Sequence, residues 1–153
     1  MEHYDVEIFQ EHQSNFEYYF ITQHKIKYFL KFSSAAYLFS SQCLSCSNIF
    51  DFSFYPERKS IPDPKVFTTI IKLILEFIEK HQCPIIFVCD DTDQKGPARL
   101  RLFKQKATNF EDKFLFQDLI ISGDYSLYIG IFSHISDANF FNYLAELDLE
   151  DII

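Results

Sequence analysis

DPKVFTTIIKLILEFIEKH, residues 63–81, is the one long segment of this chain with an unambiguous helical period. Asp63 can cap the first turn with its carboxylate, and Pro64 suits the first helical position because its missing N–H would be unpaired there anyway. Val66, Phe67, Ile70, Ile71, Ile74, Phe77 and Ile78 recur at three- and four-residue steps and make a wide apolar stripe. Thr68, Thr69, Lys72, Glu76, Glu79 and Lys80 fill the other side, with Glu76 and Lys80 spaced for an i,i+4 pair. Such a helix must lie on something flat and apolar, and the flanking segments read as that sheet. Immediately after it, PIIFVC (84–89) is a continuous apolar run, the pattern of a central strand covered on both faces.

Upstream, Val6, Ile8 and Phe9 suit a short edge strand. Phe16, Tyr18 and Phe20 alternate with Glu17 and Tyr19. After a polar turn at 22–24, Ile26, Tyr28, Leu30 and Phe32 alternate with Lys25, Lys27 and Lys31. Period two on both sides of a tight connection predicts an antiparallel hairpin with one wet face. Residues 36–39 read as a further strand, SSQCLSCS (40–47) as a loop, and 48–55 as a strand with Phe50, Phe52 and Phe54 on one face. Downstream of the long helix, a short basic helix begins at Pro97. Residues 114–121 and 125–132 form a closing hairpin around Ser122-Gly123-Asp124, and a last helix spans 136–148 behind a capping Ser136. The expected order is β-β-β-β-α-β-α-β-β-α: an α+β fold, residues 1–153 as one domain. Its sheet is mostly antiparallel, of about six to seven strands, with the 63–81 helix packed on one face.

The 153 residues include nineteen Phe and nine Tyr but no Trp and only three Gly, enough aromatic surface for a large core with a surplus for a partner-facing surface. A net charge of −8 argues against non-specific nucleic-acid binding and against anionic membranes. The N-terminus has neither a basic start nor an apolar run, and the greasiest stretch is too short to span a bilayer, so a cytoplasmic location is the expectation. In that compartment the four cysteines should be reduced thiols.

The letters DPKVFTTI at 63–70, CDDTDQK at 89–95 and ARLRLF at 98–103 resemble a family of small proteins of Bacteroidota, about 150 residues long, with a C-D-x-x-D turn and an R-x-R-L-F helix. Other members place a Trp just after that run, where Lys104-Gln105-Lys106 stand here. The resemblance implies a fold unit of this size and carries no activity with it.

Four constellations bear on chemistry. Asp90, Asp91 and Asp93, followed by Lys95, form an acidic turn at the end of a strand, where open α/β sheets often bind ligands. Asp91 and Asp93 could share Mg²⁺, and Pro62-Asp63 with Asp93-Gln94-Lys95 has the letters of a metal-dependent nuclease signature. Against this, Lys95 lies beyond the strand and Asp63 is already a helix cap, so the acids read better as caps and as counter-charges for Arg99 and Arg101. Cys43, Cys46, Cys83 and Cys89 have half of a zinc spacing and half of a redox spacing, and read better as core and loop residues. The five histidines are scattered with no nucleophile motif, His81 closing the long helix where positive charge is favoured. Arg99, Arg101, Lys104 and Lys106 make a basic cluster on an acidic chain, a candidate binding surface for an acidic partner or a second copy.

The function expected from sequence is therefore a non-enzymatic protein-interaction module of a bacterial cytoplasmic system, accessory or defence-related. Its partner is a protein or a second copy, with no cofactor, no metal, no membrane and nucleic acid disfavoured. The alternative is a metal-dependent nuclease or phosphatase using Asp90, Asp91, Asp93 and Lys95, with the metal on Asp91 and Asp93.

Overall fold

The computed structural model describes residues 2–12, 14–90, 96–110, 112–122 and 126–148. Seven strands, β1 (Glu7–His12), β2 (Asn15–Ile21), β3 (Lys27–Ser34), β4 (Phe50–Pro56), β5 (Ile85–Asp90), β6 (Phe114–Ile121) and β7 (Leu127–His134), form one sheet in the order β1-β2-β3-β4-β5-β7-β6. Every neighbouring pair is antiparallel except β4–β5. Those two are joined by a crossover through α1 (Pro64–His81), and α2 (Gly96–Ala107) follows β5. The fold is α+β, with the alternation read in the sequence setting which residues face the core.

Helix α1 forms as its sequence dictates. Asp63 is extended and its carboxylate accepts from the Lys65 amide at 3.0 Å, Pro64 sits in the first turn, and Gln82 closes the helix in the left-handed region at φ 51°. The apolar stripe packs on Tyr18, Phe20, Tyr28, Leu30, Phe32 and Phe52 of the sheet, with Ile70, Ile74 and Ile78 fully buried. Phe77 stacks flat on Phe32 at 3.9 Å between centroids. Each such side chain removed from water contributes about 1.5–3 kcal/mol, so this layer dominates the stability of the fold. Leu100 and Phe103 of α2 dock on the same face as their i,i+3 spacing implies.

Among the described residues, the opposite face is covered over only half its width. Residues 35–49 and 140–147 lie over β5 and β7, burying Leu38, Ile49, Ile86, Ile129, Ile131, Phe140 and Tyr143. Here the structure departs from the expected elements. Residues 36–39 are not a strand: Ala36–Leu38 is a 3-10 turn, and only Phe39 bridges to Leu147. The fourth strand ahead of α1 is instead β1. Residues 136–148 form two 3-10 turns, Phe140–Asn142 and Leu144–Glu146, rather than one helix. The Asp137 carboxylate accepts from the Ser133 hydroxyl at 2.5 Å, the Tyr143 hydroxyl at 2.8 Å and the Asn139 amide at 2.9 Å, and Leu147 bridges to Phe39, so partners outside the segment set its path.

Three smaller expectations also change. On α1 the ion pair is Lys72–Glu76 at 3.2 Å, not Glu76–Lys80. Cys43 and Cys46 are joined in a disulfide with Cα atoms 5.3 Å apart, because the 3-10 turn Leu44–Asn48 puts both on one side; Cys83 and Cys89 remain thiols. His81 is held below its ordinary pKa by burial and by Lys80, which disfavours the positive charge that the helix end would favour. Its ring packs 4.2 Å from Phe77 and 4.8 Å from Phe16. No helix among the described residues is long and apolar enough to cross a membrane.

Candidate functional site

The one parallel contact of the sheet is also its weakest seam. β4 and β5 share only the pairs Phe50↔Ile85 and Asp51↔Ile86, and then diverge. The Phe50 amide donates to the Pro84 carbonyl at 3.0 Å, so by strand alternation the backbone groups of Phe54 and Val88 point toward the gap rather than toward β3 or β7. The gap is a cleft of about 380 Å³ with lining residues from both faces of the sheet. Phe52, Phe54, Phe87 and Phe103 line it on the α-helical side, while Ser53, Tyr55 and Val88 line it on the other. Pro56, Cys89 and Arg99 complete the lining. Diverging parallel strands with a helix returning between them are where open sheets bind ligands, outside the carboxyl ends of the strands.

Helix α1 begins at that same end. Its Phe67, in the opening turns, packs edge-on against Phe54 at 6.0 Å and Phe103 at 5.6 Å, both cleft residues. A helix N-terminus beside a cleft is ordinarily an anion site, because its first amides lack partners. This one is filled from within. Pro64 has no N–H, the Lys65 amide donates to the Asp63 carboxylate, and the Val66 amide donates to the Asp63 carbonyl at 3.1 Å. The second carboxylate oxygen of Asp63 accepts a short hydrogen bond from the Tyr4 hydroxyl. The Tyr4 backbone amide also donates to Thr69 at 2.8 Å, and Lys65 Nζ lies 4.4 Å over its ring, so the N-terminal segment is pinned across the helix start.

On the uncovered half of the second face, Tyr19, Phe29 and Tyr55 stand side by side across β2, β3 and β4. Phe29 and Tyr55 stack at 5.2 Å, and Lys27 Nζ lies 4.4 Å over Tyr19. Asp51 shares that face at the apex of the cleft. Burial pushes its carboxyl up to about 6, against the pull of the Tyr37 hydroxyl and of Lys31. A carboxyl held near neutrality beside a cleft is a functional candidate with a stated cause.

The acidic turn read from the sequence, Asp91, Asp93 and Lys95, lies outside the described residues, and of Asp90 only the backbone, at the end of β5, is described. The four basic residues of α2 are divided among different surroundings. Arg99 is half-buried and lines the cleft; Arg101 is exposed; Lys104 pairs with Asp118 of β6 at 3.4 Å; and Lys106 faces α1 beside Ile71 and Phe110. Among the described residues no three His, Cys, Asp or Glu side chains cluster as a metal site. Sequence reasoning passed over the cleft itself and Asp51. A carboxylate alternating with Phe50 and Phe52 was a visible signal, but its burial depends on Tyr37 and on strands distant in sequence.

Residues 62–148 match the family model described as "Family of unknown function (DUF6169)". No curated protein matches the chain. Among solved structures, one described as "a putative phosphinothricin N-acetyltransferase" is similar over 83% of this chain and 75% of that one, with 12% identity and a TM-score of 0.51. A second, described as "a CoA-dependent acyl-homoserine lactone synthase", aligns over 76% of this chain and 62% of that one, with 15% identity and a TM-score of 0.41. The first likeness is one of fold alone.

Proposed function

We propose that this chain, which belongs to the family of unknown function DUF6169, binds the extended arm of an acyl thioester in the β4–β5 cleft. The observation that carries the reading is the seam itself: two parallel strands pair at Phe50↔Ile85 and Asp51↔Ile86 and then open into a cleft. An extended chain bearing amides, such as the two-amide pantetheine arm, can add to the inward-facing backbone of β4 and β5 as a strand adds to a sheet edge. Its methylene segments suit the aromatic wall of Phe52, Phe54, Phe87 and Phe103. The fold likeness to an acetyltransferase supports an acyl thioester over other amide-bearing chains.

The full coenzyme fits less well than its arm. The arm matches the cleft, but the start of α1, where a pyrophosphate would be expected to rest, already holds the Asp63 carboxylate. The test is calorimetric titration of the full chain with acetyl-pantetheine. Saturable binding that is weakened at least tenfold (about 1.4 kcal/mol) by Phe103→Ala, with a folded circular-dichroism spectrum retained, supports the reading; heat of dilution alone refutes it.

A second reading, a protein-interaction module, has its own observation. The row Tyr19, Phe29 and Tyr55 leaves aromatic surface on the uncovered half-face, with Tyr55 58% exposed. Light scattering separates it: a concentration-dependent rise in mass that is abolished by Tyr55→Glu favours association through this face, and a constant monomer mass does not.

A further inference from the structure

The ligand of the cleft can be narrowed by what sits at its mouth. The parallel β4–α1–β5 crossover brings the carboxyl ends of both strands and the amino end of α1 to one side, and Phe67 joins that first stretch of helix to the cleft wall. In such an arrangement the helix amides are the natural holder for a ligand's phosphates. Here the three positions that would serve are a proline without an N–H, an amide taken by the Asp63 carboxylate at 3.0 Å, and an amide taken by the Asp63 carbonyl at 3.1 Å. Asp63 adds a negative charge at the spot, and Tyr4 holds that carboxylate in place while its own hydroxyl accepts from the Gln23 amide at 3.2 Å. A phosphate arriving there meets a carboxylate where it needs donors.

Resting on the arm-binding reading, we infer that the cleft takes a nucleotide-free acyl thioester: the acylated pantetheine arm is recognised, and the adenosine diphosphate half of a coenzyme is not. The substrate class is then a short amide-bearing thioester, and the nucleotide of a coenzyme-bound form stays in solvent without contributing to affinity.

The experiment titrates the full chain with acetyl-pantetheine and with acetyl-coenzyme A, and then adds adenosine 3′,5′-bisphosphate to the acetyl-pantetheine complex as competitor. The expected result is coenzyme affinity within about threefold of acetyl-pantetheine affinity, well under the tenfold that 1.4 kcal/mol of phosphate anchoring would give, and no displacement by the bisphosphate. Coenzyme binding more than about threefold tighter, or displacement by the bisphosphate, overturns the nucleotide-free assignment while leaving the arm reading intact. Absence of binding by both thioesters removes the arm reading and this inference with it.

Discussion

Gly130 is the position where the cleft's geometry is most exposed to a single methyl group. It sits on β7 opposite Phe87 of β5, and a Cβ built there would lie 2.3 Å and 2.5 Å from two Phe87 ring atoms and 2.9 Å from Phe116. Phe87 has little room to retreat, being buried with Phe103 at 4.3 Å and Phe132 at 5.9 Å between centroids. Overpacking of this kind typically costs about 1–3 kcal/mol, and aromatic neighbours on both sides put Gly130→Ala in the upper half of that range. At this chain length each kcal/mol shifts the melting midpoint by about 2–4 °C, so the expected loss is about 4–12 °C. The assay is urea and thermal unfolding followed by circular dichroism, with Phe87→Leu as the second arm of a double-mutant cycle. Removing the ring tip relieves the clash, so the double variant should be more stable than the sum of the singles by at least ~1 kcal/mol. A Gly130→Ala protein within ~0.5 kcal/mol of the parent, or an additive cycle, would refute the claim that Phe87 is pinned as a cleft wall.

Other consequences can be read with similar assays. Without reductant the denatured chain should titrate two thiols, Cys83 and Cys89, and four after reduction; cutting the Cys43–Cys46 link with Cys43→Ser/Cys46→Ser should cost about 2 kcal/mol on the chain-entropy estimate for so short a loop, and four thiols at the outset would contradict the disulfide. Asp51 has its folded pKa raised to about 6 from 3.8, so the folded state binds more protons between those values and stability should fall as pH rises from about 4 to about 6. Asp51→Asn should flatten that limb of the stability–pH curve, and an unchanged curve would reject the assignment. Asp137→Ala strands the buried hydroxyls of Ser133 and Tyr143 and should destabilise by about 1–3 kcal/mol per unpaired group. Tyr143→Phe in that background should recover part of the loss, and no recovery would mean that the carboxylate acts elsewhere.

What could be read from sequence was what is local. The α1 stripe, its Asp63 cap and Pro64 start, the β2–β3 hairpin and the β6–β7 hairpin all depend on periods of 3.6 or 2 within one segment, and the structure carries each of them. Residues 36–39 and 136–148 misled because short apolar runs have no decisive period. Their geometry is set by partners far away, Phe39 by Leu147 and the 137–143 turn by Ser133 of β7. The Cys43–Cys46 bond ran against an expectation about redox compartment, although the C-x2-C spacing itself permitted it. The cleft was invisible for a plainer reason. Both strands were expected, but their being neighbours, parallel and paired at only two positions is a property of strand order, which no segment encodes alone. Asp51 could have been noticed as a carboxylate in an aromatic strand, yet its raised pKa comes from tertiary burial.

The seam between β4 and β5 is tested most directly by amide hydrogen exchange at Phe54 and Val88, followed by NMR on the full chain with and without acetyl-pantetheine. Their backbone groups face the gap beyond the last pair, Asp51↔Ile86. Both amides should exchange fast in the free protein, while Phe52 and Ile86 at the closed end stay protected, and both should slow by at least about tenfold when the arm is bound. Protection of Phe54 and Val88 already present in the free protein, or exchange that saturating acetyl-pantetheine leaves unchanged, would contradict an open cleft that binds an extended chain.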